Sequence, residues 1–283
     1  MGAATILTKI ERIWFLSFIF VGVGLVASTA VALDPMGPPV AGLAEGQVEV
    51  GIDYSHSTMD LELDNGTWME LLDGVPFDAG GAVPFTIKDF KAYRTYANIG
   101  FGASDAVEVF VRVGGTDGRF GDSVWQDQEK FESSTDFAIG GGVKATFYDD
   151  GALELGGLIQ GSWAEYNGTL SAPHWSAEDR VEMDIAEIQI AVGAAYTWAE
   201  RFAIYGGPFV HFVSGDFDDT FSAVDATTGG LLTSNYSWEI DEDSVFGGYF
   251  GAQLELTENC SFNIEYQRTA AADAVAMSLM LRN

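Results

Sequence analysis

The side chains able to carry chemistry in this sequence fall into three groups. The first is histidine: His56 sits between Ser55 and Ser57, His174 lies in a polar stretch, and His211 precedes Asp216. A histidine beside a carboxylate or a serine can serve as a general base that activates water or a hydroxyl. With 42 Asp plus Glu in 283 residues, an acid near a histidine arises by chance, so no catalytic residue is assigned and an enzyme is not expected. The second group is acidic. Asp216-x-Asp218-Asp219 and Asp241-Glu242-Asp243 are the densest oxygen clusters and the best candidates for loop-bound Ca2+, although neither carries the central glycine of an EF-hand loop. The third group is a set of charges within otherwise alternating segments: Glu49, Asp53, Arg94, Glu108, Arg112, Lys144, Glu154 and Glu265. Such charges fit the lining of a narrow polar interior, in which Arg94, Arg112 and Lys144 would pair with the carboxylates.

Composition narrows the partners. A net charge of -29, with 13 Lys plus Arg, repels phosphate, so nucleic-acid binding through a basic groove is excluded. The single cysteine, Cys260, cannot form an internal disulfide, and no Cys/His cluster has metal-site spacing. No cofactor beyond a calcium ion is expected. A hydrophobic content of 47% with 20 Phe and 10 Tyr is too high for a disordered acidic tail.

These residues must be positioned by strands. Only the first 32 residues read as an apolar helix: Lys9 and Arg12 precede the run from Ile13 to Val26, and Ser28-Thr-Ala-Val-Ala32 supplies a small-residue exit. That is the plan of a secretory signal, cleaved after Ala32, with a retained membrane helix as the alternative. Removal of Lys9, Glu11 and Arg12 takes the charge from -29 to -30. Residues 33–46 open with Asp34-Pro-Met-Gly-Pro-Pro39 and read as a linker that holds neither helix nor central strand. Beyond them the recurring signal is alternation, beginning with Val48, Val50, Ile52 and Tyr54. Four segments, 98–114, 139–163, 190–212 and 246–266, each read as two alternating runs joined by a tight turn. The turns fall near Ser104-Asp105, Asp149-Asp150-Gly151, Ala199-Glu200 and Glu258-Asn259.

Long polar stretches at 57–84, 115–134, 165–184 and 214–243 separate the hairpins and read as loops. Short turns alternating with long loops predict an all-β, antiparallel up-and-down barrel over 47–283. An opening strand at 47–55 and a closing strand at 274–282 bring the count to about ten, within a range of eight to twelve. A soluble sandwich would show the same alternation and is the rival fold. Three features favour lipid. The polar face is rich in small and charged residues (Gly100, Gly140, Gly142, Gly156, Gln160, Gln189, Gly193, Gln253), aromatics such as Phe101, Phe147, Trp198 and Phe262 gather at strand ends, and strand lengths suit a tilted crossing.

These hairpins resemble the transmembrane domains of small outer-membrane barrels of Gram-negative type, the OmpA-like and Opa-like superfamily. The resemblance covers 47–283 and rests on pattern. It implies export to the outer membrane, insertion by the barrel-assembly machinery, and contact with outer-membrane lipid and lipopolysaccharide. Such chains usually end in Phe or Trp, whereas this one ends in Asn283, a departure that bears on its insertion signal. No periplasmic peptidoglycan-binding domain is expected.

The four long stretches hold 24 acids against Arg119, Lys130 and Arg180, which makes one rim strongly negative. Such a rim concentrates cations and binds divalent ions that bridge to lipopolysaccharide phosphates. The leading expectation is a narrow, cation-preferring porin-like channel. The alternative is a non-conducting structural or surface-interaction barrel presenting acidic loops, and the third is an outer-membrane hydrolase.

Overall fold

The computed structural model describes residues 33–121, 130–171, 178–199, 201–224, 229–241 and 246–283. The leader expected over 1–32 lies outside the described residues, as do His174, Glu242 and Asp243. The strands are β1 (Val48–Leu72), β2 (Val75–Gly81), β3 (Phe85–Ser104), β4 (Val107–Gly121), β5 (Lys130–Ser133), β6 (Asp136–Asp149) and β7 (Leu153–Ser171). They continue with β8 (Glu178–Ala199), β9 (Phe202–Val224), β10 (Leu231–Asp241), β11 (Phe246–Thr257), β12 (Cys260–Arg268) and β13 (Ala272–Arg282).

Ten of these strands close a ring of antiparallel pairs, in the order β1, β3, β4, β6, β7, β8, β9, β11, β12, β13 and back to β1. The expected ten-stranded barrel is therefore present, with its four tight turns at one end. At the turn after β6, the Asp150 carboxylate accepts hydrogen bonds from the amides of Leu153 (2.8 Å) and Ala152 (3.1 Å), which hold it below the usual aspartate range. Gly151 completes that turn at φ +90°, a conformation that favours glycine. Both ends of the barrel meet on the same side. The Asn283 amide donates to the Val48 carbonyl (3.2 Å), and its side-chain oxygen accepts from the Val48 amide (3.1 Å).

The facing of the strands supplies the decisive pattern. Along the lower part of each strand the apolar residues point outward: Val50 and Ile52 on β1, Val109, Val111 and Val113 on β4, Ile188, Ile190 and Val192 on β8. Ile52 is 61% exposed and Val111 60%. Phe147, Trp198, Phe202 and Phe101 rim this belt near the turns, as interfacial aromatics do. Higher up, the same strands reverse. Met59, Leu61 and Leu63 of β1, Val181, Met183 and Ile185 of β8, and Phe217 of β9 are buried inside, while Glu62, Asp64, Glu182, Asp184 and Asp216 face outward. A strand's pleat alternates with period two, so this is a switch of the apolar set from one parity to the other. It marks the level at which the surroundings change from lipid to water.

Among the described residues the long polar stretches are largely strand rather than loop, and that expectation is corrected to this extent. β1 runs 25 residues, about 80 Å of strand at about 3.3 Å per residue, well beyond a bilayer crossing. The stretch 57–84 continues β1 and adds β2; 115–134 extends β4 and adds β5; 165–184 extends β7 and β8; 214–243 extends β9 and adds β10. β10 bridges β9 to β1 above the shorter β11, β12 and β13, closing the wall there. Inside this extension Phe90, Phe120, Phe131, Tyr166, Phe217 and Trp238 form an aromatic core, with Phe120 and Phe131 stacked at 4.9 Å.

Candidate functional site

The lumen below the aromatic core is occupied by residues 33–46. Pro35, Pro38 and Pro39 keep this segment free of helix and strand, as expected, yet it does not hang outside as a linker. It enters at the turn end, where the Gly46 amide donates to the Gly102 carbonyl (2.8 Å), and climbs to Leu33, which is wholly buried. The wall satisfies the segment's polar groups one by one. Glu108 accepts from the Gly42 amide (2.8 Å) and Thr146 Oγ1 from the Ala41 amide (2.9 Å). The two carboxylate oxygens of Glu265 accept from the amides of Met36 (3.0 Å) and Gly37 (2.9 Å). Arg112 donates to the Pro35 carbonyl (2.6 Å), and Gln267 donates to that of Asp34 (2.7 Å). Buried backbone groups need partners, and the inward polar residues supply them. Wall glycines give the room: a Cβ at Gly156 would collide with the Pro39 carbonyl, and one at Gly102 with that of Ala44.

All eight predicted lining residues lie on the inner wall, and the structure pairs most of them. Arg112 Nε meets Asp53 at 3.0 Å, and Lys144 lies 3.7 Å from Glu108. Glu49 instead meets Arg282 at 2.7 Å, Glu265 holds the segment, and Glu154 is half-buried beside the lower cavity. That cavity of about 340 Å³ opens at the turn end and is lined by Glu49, Glu108, Arg112, Lys144, Glu255 and Arg282, among others. Arg94 pairs with neither Glu108 nor Glu265. It reaches Asp34 of the segment (3.1 Å) and Glu187 of β8, and donates to the Tyr166 hydroxyl (2.9 Å). Glu187 also bonds His211 Nε2 at 3.1 Å. Only the inward parity of Glu187 distinguished it in the sequence, and the role of Asp34 depended on a segment that reads as a linker.

The histidines and the acidic clusters do not converge. His56 faces outward, stacked on Tyr93 at 4.4 Å, while His211 is buried in the wall beside Glu187. Asp216 and Asp218 point outward but Asp219 lies on the opposite face, because neighbouring residues of a strand alternate. Asp241 faces outward from β10; its companions Glu242 and Asp243 lie outside the described residues. Among the described residues no group of three or more His, Cys, Asp or Glu could hold a metal ion. What cross-strand register does bring together is a ladder: Glu165, Asp184, Asp216, Glu239 and Asp64 stand directly opposite one another across β7, β8, β9, β10 and β1. Burial, and then the neighbouring carboxylates Asp216, Asp218 and Glu182, hold Asp184 above the usual aspartate range.

A closed ring whose apolar face points outward in the belt and inward above it fits one setting. The fold is a ten-stranded antiparallel β-barrel of the membrane-spanning kind. No family model matches it, and no curated protein matches it. Among solved structures it is similar to the outer membrane protease OmpT from Escherichia coli, at 10% identity over 83% of this chain and 94% of that one, with a TM-score of 0.42. The translocator domain of the autotransporter NalP from Neisseria meningitidis is 10% identical, over 85% and 89%, with a TM-score of 0.41. The outer membrane protein OprG from Pseudomonas aeruginosa is also 10% identical, over 74% and 97%, with a TM-score of 0.36.

Proposed function

We propose that this barrel does not conduct in its resting form and acts as a membrane anchor for a rigid, strongly acidic β-walled extension on the cell surface. The observation that carries this reading is that the lumen is filled at two levels by different chemistry: residues 33–46 bound to a polar wall, and above them an aromatic core. A cation-preferring channel needs a continuous wet path, and both fillings would have to move to open one. The carboxylate ladder on the outer wall gives the extension its role: it concentrates cations and, through divalent ions, couples to lipopolysaccharide phosphates or to a cationic surface partner. No catalytic step enters the reading, since His211 is engaged by Glu187 inside the wall and His56 by Tyr93 outside it.

Planar-bilayer recording of the mature protein under a salt gradient tests this. The intact barrel is expected to give no discrete steps, and removal of residues 33–43 to leave it silent because the aromatic core still closes the extension. Discrete cation-selective steps from the intact barrel, diminished when Asp184 and Asp216 are neutralised, would return the porin reading.

A further inference from the structure

Beyond a role as an anchor, we infer that the lower cavity of the barrel binds a small organic cation with a primary ammonium group, admitted from the turn end. Three residues form a row on the inner wall: Asp53 of β1, Ser278 of β13 and Asn263 of β12 stand directly opposite one another. Asn98 donates to Asp53 Oδ2 (2.9 Å), and Arg112 Nε lies 3.0 Å from that same oxygen. Asp53 Oδ1 is left without a partner. The amide nitrogen of Asn263 donates to Ser278 Oγ (3.0 Å), while its Oδ1 has no partner. Two residues nearer the turn on β12, Ser261 Oγ has none either. Asp53, Asn263 and Ser261 are only 1%, 7% and 1% exposed, and all three line the cavity.

Buried oxygens of this kind call for hydrogen-bond donors, and the surrounding chain has already committed its own. The cavity is also lined by the 33–46 segment, whose prolines carry no N–H. Its amides at Met36, Gly37, Ala41 and Gly42 are taken by Glu265, Thr146 and Glu108. Of the cations in the lining, Arg112, Lys144 and Arg282 are engaged by Asp53, Glu108 and Glu49. The donors are therefore those of whatever enters. Charge decides its sign: five carboxylates line the cavity against four cations, and among the described residues Glu154 has no cation within 4 Å. An anion would add to this surplus, whereas an ammonium brings three donors and the compensating charge. A volume of about 340 Å³ lies at the small end of ligand sites and limits the occupant to a short chain.

Isothermal titration calorimetry of the folded, mature barrel in detergent against 1,4-diaminobutane, 1,4-butanediol and succinate tests the site, because the three share a carbon backbone and differ in charge. The diamine is expected to bind one to one and to lose about tenfold or more in affinity in N263A/S261A, which removes two of the unpartnered oxygens and leaves the ion pairs of the lumen in place. S261A alone, the gentler change to the wall, should lose less in the same direction. Heat-modifiable gel mobility reports separately whether each variant has formed the barrel. Equal affinity in the parent and N263A/S261A would overturn the site by placing the diamine on the acidic outer wall. Tighter binding of succinate, or equal binding of 1,4-butanediol, would overturn the ammonium. No binding of any of the three at millimolar concentration would overturn the site altogether and leave the cavity to water.

Discussion

The lower and upper halves of this barrel are built from the same strands and solve opposite problems. In the belt the surroundings are apolar, so Ile52, Val111 and Ile190 face out and the inside must be polar or filled. The chain fills it with its own residues 33–46, bonded to Glu108, Arg112, Glu265 and Gln267. In the extension the surroundings are water, so Met59, Phe131 and Trp238 turn inward and pack against one another. The medium outside therefore determines what the inside contains. The two fillings should respond differently to mutation: the polar one through unpaired charge, the aromatic one through cavities.

The largest effect is expected at the junction of the halves. Arg94→Met would leave Glu187 and Asp34 buried without their cation, and breaking such a pair costs about 3–5 kcal/mol. Urea unfolding in micelles, followed by loss of the heat-modifiable band, should show the whole barrel weakened, with partial recovery on adding Glu187→Gln. An unchanged midpoint would mean that the network contributes no stability to the polar half. Next comes Phe131→Ala, which removes a wholly buried ring stacked on Phe120 and should cost about 3 kcal/mol. Its damage should stay in the extension. Limited proteolysis should cut above the belt while the belt keeps its folded gel mobility, and simultaneous loss of both would show that the halves fold as one unit.

Much of the lower half was readable in the sequence. The ten strands and the tight turns follow from alternation and turn residues, and parity put Asp53, Glu108, Arg112 and Lys144 on one inner face without saying which carboxylate meets which cation. The extension was missed because Asp60, Glu62 and Asp64 make 57–84 look like a loop. The signal was still present: Met59, Leu61 and Leu63 keep the alternation at odd positions after Val50, Ile52 and Tyr54 at even ones. A parity switch within one run is what a strand leaving a membrane should show. The filled lumen was less legible. Nothing in Asp34-Pro-Met-Gly-Pro-Pro39 states whether an irregular segment lies outside a barrel or within it, and its partners are distant in sequence, such as Glu265 with Met36.

A smaller effect should separate the segment from the wall that holds it. Gly156→Ala adds one methyl group where the Pro39 carbonyl and Val40 press on the strand, and overpacking of that kind costs about 1–3 kcal/mol. The segment is the softer partner, since it has no strand ladder of its own, so it should yield first. A cysteine placed at Ala41, in a background with Cys260→Ser, should then react faster with a membrane-impermeant maleimide added from the turn side, while Gly81→Ala on β2, where an added Cβ meets nothing closer than 3.8 Å, should not change that rate. If Gly156→Ala leaves labelling unchanged and unfolds the barrel instead, residues 33–46 are an integral layer of the core rather than a filling.

The smallest effect belongs to the outer wall of the extension and concerns pH. Asp184 stands opposite Glu165 and Asp216 in the ladder, and its folded pKa is raised by burial and by Asp216, Asp218 and Glu182. A raised carboxyl binds its proton more tightly in the folded state. Its stabilising contribution is therefore complete below the ordinary aspartate range and is lost as pH rises through the raised value. The extension therefore weakens on this account as pH rises and Asp184 gives up its proton. Asp184→Asn should then stabilise the extension at pH 7 by a few tenths of a kcal/mol for each neighbour relieved, roughly the scale of exposed cross-strand pairs, and should make no difference near pH 3. Proteolytic half-lives of the extension at the two pH values measure this directly. A benefit at pH 7 that disappears on adding millimolar Ca2+ would show cations already neutralising the ladder, whereas a benefit of equal size at both pH values would trace it to packing at Asp184 and remove charge from the comparison of the two halves.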